Sequence, residues 1–149
     1  MKIAIGSDHG GFQLKEHLRK YLTEKGMEVT DCGTFTSDSC DYPDFAAAVC
    51  QEVTGGKAER GVLVCGTGIG VSISANKCHG IRAALCDNVY SAEKSREHND
   101  ANVMCLGARV LGVGLAELIT DTFFKTDFAG GRHQRRVNKI MALEHEQGK

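Results

Sequence analysis

No stretch of this 149-residue chain is apolar for long enough to cross a membrane as a helix, and it shows no Cys-x-x-Cys pair, internal repeat or low-complexity segment. Charge surplus is missing too. With 18 basic and 19 acidic residues and a net charge of −1, nucleic acid and anionic membranes find no electrostatic hold, so a small molecule is the expected partner. Met1-Lys2 runs straight into strand-like Ile3-Ala4-Ile5 instead of a signal peptide's apolar core, and the expected compartment is the cytoplasm. The cysteines number seven, at positions 32, 40, 50, 65, 78, 86 and 105. An odd number without close pairing argues for reduced thiols, against a disulfide framework or a zinc site. Cys86 and Cys105 fall in apolar runs and read as small core hydrophobes. Residues 1–149 are expected to form one domain with a core of its own.

Strand-like and helix-like segments alternate along the chain. Lys2–Ser7 reads as a first strand and ends in the polar loop Asp8-His9-Gly10-Gly11. A helix follows, with Phe12, Leu14, Leu18, Tyr21 and Leu22 at helical spacing and Gly26 where a C-cap glycine belongs. Met27–Cys32 alternates as a shorter strand, Gly33–Asp41 is a Thr/Ser/Asp-rich loop, and Tyr42-Pro43-Asp44 opens a helix stopped by Gly55-Gly56. After the run Val62–Val64 comes a short helix to about Lys77. Arg82–Cys86 is a fourth strand, and Asn88 with its neighbours caps a helix ending near His98-Asn99. Asn102–Leu106 is a fifth strand. A helix carrying Leu115, Leu118, Ile119 and Phe123 follows, then a turn at Phe128–His133 and a last helix with Val137, Ile140, Met141 and Leu143 apolar. The alternation of strand and helix predicts a doubly wound, three-layer α/β/α fold around a mostly parallel sheet of about five strands. The last helix has no further strand to cover and is expected to pack on a partner subunit.

The stretch Arg60–Asn76 stands out. A continuously apolar strand delivers Cys65 to a turn in which Gly66, Gly68 and Gly70 leave the backbone open for N–H groups to converge on an oxyanion. By position alone Cys65 reads by default as an inert buried thiol, and Asp8 could be a helix cap, His98 a helix C-terminal histidine, and Arg132 with Arg136 a solvated face. Together with Asp8-His9, Arg109 and Arg132-His133, however, the thiol, the amides, a histidine acid and the arginines suit proton transfer beside the carbonyl of a sugar phosphate. Such a reaction needs a base for a carbon-bound proton, donors for the enediolate, an acid for ring opening and a grip on the phosphate.

The motifs Gly6-Ser7-Asp8-His9-Gly10-Gly11-Phe12, Asp41-Tyr42-Pro43, Cys65-Gly66-Thr67-Gly68-Ile69-Gly70, Asn76-Lys77, Arg96–Asn102 and Gly130-Gly131-Arg132-His133 occur in this order. Through them the chain resembles the type B ribose-5-phosphate isomerases, grouped with the galactose-6-phosphate isomerase subunits. The resemblance implies a Rossmann-like three-layer α/β/α fold with a five-stranded, mostly parallel sheet, and cofactor-free interconversion of ribose 5-phosphate and ribulose 5-phosphate, with no metal, by a homodimer or dimer of dimers whose sites lie between subunits. It implies Cys65 as base, His98 as ring-opening acid and Thr67 as a further catalytic residue. Amides from Gly66 through Thr67, Gly68 and Ile69 to Gly70 would hold the enediolate. Asp8, His9 and Asn99 would contact substrate, with Arg109, Arg132 and Arg136 at the phosphate and His133 as a further phosphate contact. Some relatives carry serine for the cysteine and a glutamate base a few residues on; residues 66 to 77 here hold no carboxylate, which favours Cys65. Alternatives are a hexose 6-phosphate (allose or galactose) isomerase, a non-catalytic nucleotide or phosphate module, and a thiol redox protein. The first loop lacks a G-x-G-x-x-G register and Cys65 lacks a nearby resolving cysteine, which weakens the last two.

Overall fold

Four apolar runs and one alternating segment become five strands in a computed structural model that describes residues 1–147. They are β1 (Lys2–Ser7), β2 (Glu28–Asp31), β3 (Arg60–Cys65), β4 (Ala83–Leu85) and β5 (Val103–Gly107). The sheet order is β2-β1-β3-β5-β4, and every pairing is parallel. The "mostly parallel" expectation thus resolves to wholly parallel. Both faces are covered, as the unbroken burial of Val62, Leu63, Val64, Met104, Cys105 and Leu106 requires.

The helices are α1 (Phe12–Glu24), α2 (Tyr42–Thr54), α3 (Ile69–Ala75), α4 (Val89–Glu97), α5 (Val113–Lys125) and α6 (Arg132–Glu146). On one face Ile3, Ile5, Val62, Val64, Met104 and Leu106 pack against Leu14, Leu18 and Leu22 of α1, Ala92 of α4 and Ile119 and Phe123 of α5. On the other, Ala4, Leu63, Cys65 and Cys105 meet Ala46, Val49 and Cys50 of α2 and Val71 and Ala75 of α3. This gives the three layers. Cys86 and Cys105 are fully buried, as their apolar runs predict, and all seven cysteines are free thiols.

Two apolar stripes are only half covered. In α5, Ala116, Ile119, Thr120 and Phe123 turn inward while Leu115 and Leu118 stay exposed. In α6 only His133 and Val137 are buried, and Ile140 and Leu143 face outward. Helix α6 is held to its own chain by Glu144, whose carboxylate accepts the Gly80 N–H at 3.0 Å, and by Met141 Sδ, 3.2 Å from Arg82 Nη1.

Lys15 breaks the general rule that lysine side chains stay in water. Placed on α1 next to apolar Leu14, it is fully buried, with Nζ 2.8 and 2.9 Å from the Asp31 oxygens and 2.7 Å from the Thr34 carbonyl. The rings of Phe12 and Phe35 flank the ammonium at 5.4 and 5.3 Å. Thr34 in turn donates its N–H to the Ser7 carbonyl, and Ser7 donates to the Gly33 carbonyl. A buried cation therefore ties α1 and β2 to the end of β1.

Candidate active site

The chain leaves β1 towards β2 on one side and returns to place β3 on the other, so β1 and β3 flank the point where strand order reverses. In open parallel sheets the ligand crevice opens at the carboxyl ends of such strands. Here it brings Asp8, His9, Cys65, the glycine loop and Arg109 to one edge, as the sequence predicts.

Cys65 ends β3, 4% exposed. Its sulfur accepts the Gly68 N–H at 3.1 Å, a bond that strengthens when sulfur carries negative charge. Gly68 makes this bond possible. Its φ of +79° suits glycine alone at low strain, and a Cβ there would lie 2.9 Å from the Leu106 carbonyl carbon. The Ile69 N–H is held by Thr67 Oγ1 at 3.2 Å. Two of the five loop amides are thus engaged inside the loop, whereas those of Gly66, Thr67 and Gly70 have no protein partner among the described residues. These three are open donors.

The turn after β5 is stitched to the same loop. Ala108 and Arg109 donate their N–H groups to the carbonyls of Cys65 and Gly66, both at 2.9 Å. The Arg109 guanidinium lies over Gly10 and Gly66, where added Cβ atoms would stand 3.6 Å from Nη2 and 3.3 Å from Nη1. Side chains at those positions would crowd the cation. Asp8 Oδ1 accepts the Gly11 N–H at 3.0 Å, so Asp8 caps the turn His9–Gly11 as well as reaching the crevice. His9 lies in that turn, with Nδ1 3.2 Å from the Cys40 amide.

The second group of predicted residues lies elsewhere. α4 runs back from the end of β4 to the start of β5, so His98 and Asn99 stand at the amino edge of the sheet. α5 also returns to that edge, and Ala129 donates to the Glu97 carbonyl, which brings Arg132 and His133 beside His98. The His98 and His133 rings stack at 4.2 Å with 11° between planes. Burial, then His98, Arg132 and Arg136, hold the His133 imidazole below its ordinary value. Glu97 Oε2 lies 3.9 Å from His98 Nε2, and Glu97 is held below the usual carboxylate range by Lys94 first, then by His98 and His133. Arg132 and Arg136 are exposed on the first turns of α6, and Asn99 is exposed beside an approximately 470 Å³ cavity reaching Arg82 and Glu144.

Two arginines outside the predicted set shape this edge. Buried Arg96 bonds Asp100 and the Ala101 carbonyl, and Arg82 bonds the Asn99 and Asp100 carbonyls, closing a turn in which Asp100 has φ of +46°. The signal for Arg96 is the Arg96–Asn102 run itself, whereas Arg82, at the start of the predicted fourth strand, carries none. Cys65 and His98 are separated by the length of a six-residue strand, roughly 20 Å. Within one chain they do not meet.

Residues 3–140 match the family described as Ribose/Galactose Isomerase. Ribose-5-phosphate isomerase B of Escherichia coli is 50% identical over 143 residues, 96% of each chain. A putative sugar phosphate isomerase of Bacillus subtilis is 48% identical over 147 residues, 98% of this chain and 99% of that one. The solved ribose-5-phosphate isomerase B of Clostridium thermocellum superposes with a TM-score of 0.98 at 53% identity over 99% of both chains. With a thiol and three open amides at the carboxyl edge of a wholly parallel sheet, and relatives matched over nearly its full length, this chain belongs to the ribose/galactose isomerase family.

Proposed function

We propose that the chain interconverts D-ribose 5-phosphate and D-ribulose 5-phosphate through an enediolate, at a site completed by a second copy of itself. The observation that carries the reading is Cys65 at the carboxyl end of β3 beside the open amides of Gly66, Thr67 and Gly70. The names of the full-length relatives at about half identity support the substrate.

In this mechanism the Cys65 thiolate takes the proton from C2 of the open-chain aldose and returns it to C1. Meanwhile a proton moves from the C2 oxygen to the C1 oxygen. The open amides donate to these oxygens as negative charge develops there. Thr67 Oγ1 accepts the Ile69 N–H, which leaves its own hydroxyl hydrogen free to donate to the same oxygens. His98, supplied by the second copy, protonates the ring oxygen during opening. Arg109 grips the phosphate together with the second copy's Arg132 and Arg136, and His133 adds a contact there. Asp8, His9 and Asn99 contact the sugar or its phosphate.

Two facts support a two-copy site. The strand length keeps Cys65 and His98 apart in one chain. Large apolar side chains also stay exposed near both edges: Tyr42, Ile69, Ile73 and Leu85 around the crevice, Ile140 and Leu143 on α6. No helix among the described residues is long and apolar enough to cross a membrane, and the proposed setting is the cytoplasm.

The test is turnover of ribose 5-phosphate against allose 6-phosphate and galactose 6-phosphate, with Cys65→Ala alongside. The reading expects ribose 5-phosphate to give the highest kcat/KM, and Cys65→Ala to lose more than about a hundredfold, roughly 2.7 kcal/mol of barrier. A preference for either hexose phosphate overturns the substrate. Survival of Cys65→Ala within about tenfold overturns the base.

A further inference from the structure

We propose that Cys40 is a positioning residue that fixes His9 in one neutral tautomer, protonated on Nε2, so that His9 offers substrate a hydrogen-bond donor and does not serve as a base. The donor's role in turnover rests on the site described under Proposed function; the tautomer does not.

The main-chain N–H of Cys40 points at His9 Nδ1 from 3.2 Å. A backbone N–H can only donate, so Nδ1 must present its lone pair. A neutral imidazole with a bare Nδ1 carries its proton on Nε2. The Cys40 sulfur lies 3.9 Å from the same nitrogen, and a thiol there is a second, weaker donor to it. Both donors therefore favour one tautomer.

The surroundings offer no competing proton acceptor for Nδ1. Asp8, on the same turn, commits Oδ1 to the Gly11 amide. Asp41, Tyr42 and Asp44 line the cleft with His9, and Arg109 approaches over Gly10, but no carboxylate oxygen comes within 4.0 Å of either His9 ring nitrogen among the described residues. A doubly protonated ring would set one N–H against another at the Cys40 contact. Nε2 has no protein partner among the described residues, which leaves its N–H for a ligand.

This divides the labour at the carboxyl edge. Cys65 takes the proton from carbon, while His9 matches an oxygen that can only accept, such as a carbonyl, enediolate or phosphate oxygen. Cys40 stands in the Thr/Ser/Asp-rich segment between β2 and α2, so a segment without strand or helix sets the chemistry of a residue on the neighbouring turn.

Long-range ¹H–¹⁵N correlation on the ¹⁵N-histidine-labelled protein without substrate reads the tautomer directly, His9 being assigned by the signals lost in His9→Gln. The expected result is a single Nε2–H pattern near neutral pH, retained in Cys40→Ala, which keeps the amide. An Nδ1–H pattern, an average of both, or a pattern altered by Cys40→Ala overturns the assignment to the Cys40 amide. For the donor role, His9→Gln places an amide NH₂ near the Nε2 position and His9→Asn places it near Nδ1. The Gln variant is expected to keep kcat/KM for ribose 5-phosphate within about tenfold and the Asn variant to lose about a hundredfold. An Asn variant as active as the Gln variant overturns the donor role. If the unmodified protein fails to turn over ribose 5-phosphate, the functional reading and the donor role fail, while the NMR result still decides the tautomer.

Discussion

Replacing Lys15 by methionine removes a buried cation from three elements at once. The ammonium is fully buried, bonded to both Asp31 oxygens and the Thr34 carbonyl, and 3.1 Å from Glu16 Oε1. Breaking a buried ion pair by deleting one partner costs about 3–5 kcal/mol, because the other charge is left behind. Methionine fills most of the lysine volume, so little cavity adds to this. The Asp31 side chain is 19% exposed and has Arg19 Nε at 3.8 Å, so water and that guanidinium recover part of its stabilisation. The expected loss is therefore about 3 kcal/mol, the low end of that range. At this chain length it corresponds to a Tm drop of about 6–12 °C. Urea unfolding checks it, with a lower midpoint and unchanged slope. Asp31→Asn keeps an oxygen for the Gly33 N–H, which Oδ1 accepts at 2.9 Å, and removes the orphaned charge. The double variant should accordingly be less destabilised than the sum of the singles by about 1 kcal/mol or more. A Lys15→Met loss under about 1 kcal/mol, or strict additivity, refutes the account.

Gly107→Ala would place a Cβ 2.6 Å from the Thr67 carbonyl oxygen, both groups being backbone, and should cost about 3 kcal/mol and displace the Cys65 loop. Gly26→Ala meets nothing within 4 Å and carries only the strain of φ +87°, about 1 kcal/mol, so equal losses in thermal melts would contradict the contact. Burial pushes the Cys86 thiol up to about 11 and those of Cys50 and Cys105 further, so iodoacetamide near pH 8 should spare all three in the native protein and label them in denaturant; mass spectrometry decides. The depressed His133 imidazole makes the unfolded state bind more protons below the unfolded histidine value of about 6.5. Its stabilising contribution is complete above that value and declines as pH falls through it and then through the lower folded value. His133→Gln should lose less stability than the parent between about pH 7.5 and 5.5, and equal losses would rule the linkage out.

The carboxyl edge was legible because its signals are local: an apolar strand, a thiol and spaced glycines occupy consecutive residues. The alternation of elements also foretold the layers. Burial of Lys15 was not legible, since it depends on Asp31 and Thr34 arriving from other elements, and a lysine in an amphipathic pattern ordinarily reads as solvated. Nor does helical spacing decide which flank is covered: Leu118 and Ile119 are neighbours in sequence, yet one is exposed and the other buried. The parting of Cys65 from His98 did have a signal. In a parallel α/β chain, residues ending a strand and residues ending a helix stand at opposite edges, and the two fall in those two positions.

That same rule makes the two-copy site a strong prediction. No arginine or histidine side chain bridges roughly 20 Å, so a reaction using Cys65 and His98 together needs the carboxyl edge of one chain against the amino edge of another. A two-fold pairing creates this contact twice, each site drawing Cys65 from one copy and His98 from the other. Cys65→Ala and His98→Asn should each be nearly inactive alone. Unfolded together in equal amounts and refolded, half of the pairs contain one chain of each kind. In such a pair one site holds both substitutions and the other neither, so about a quarter of the parental activity returns. Size-exclusion chromatography with light scattering confirms that pairs have formed. Activity no greater than the sum of the separate variants would place both residues in a site built by one chain. The parallel sheet would then have to open by a strand's length before the chemistry begins.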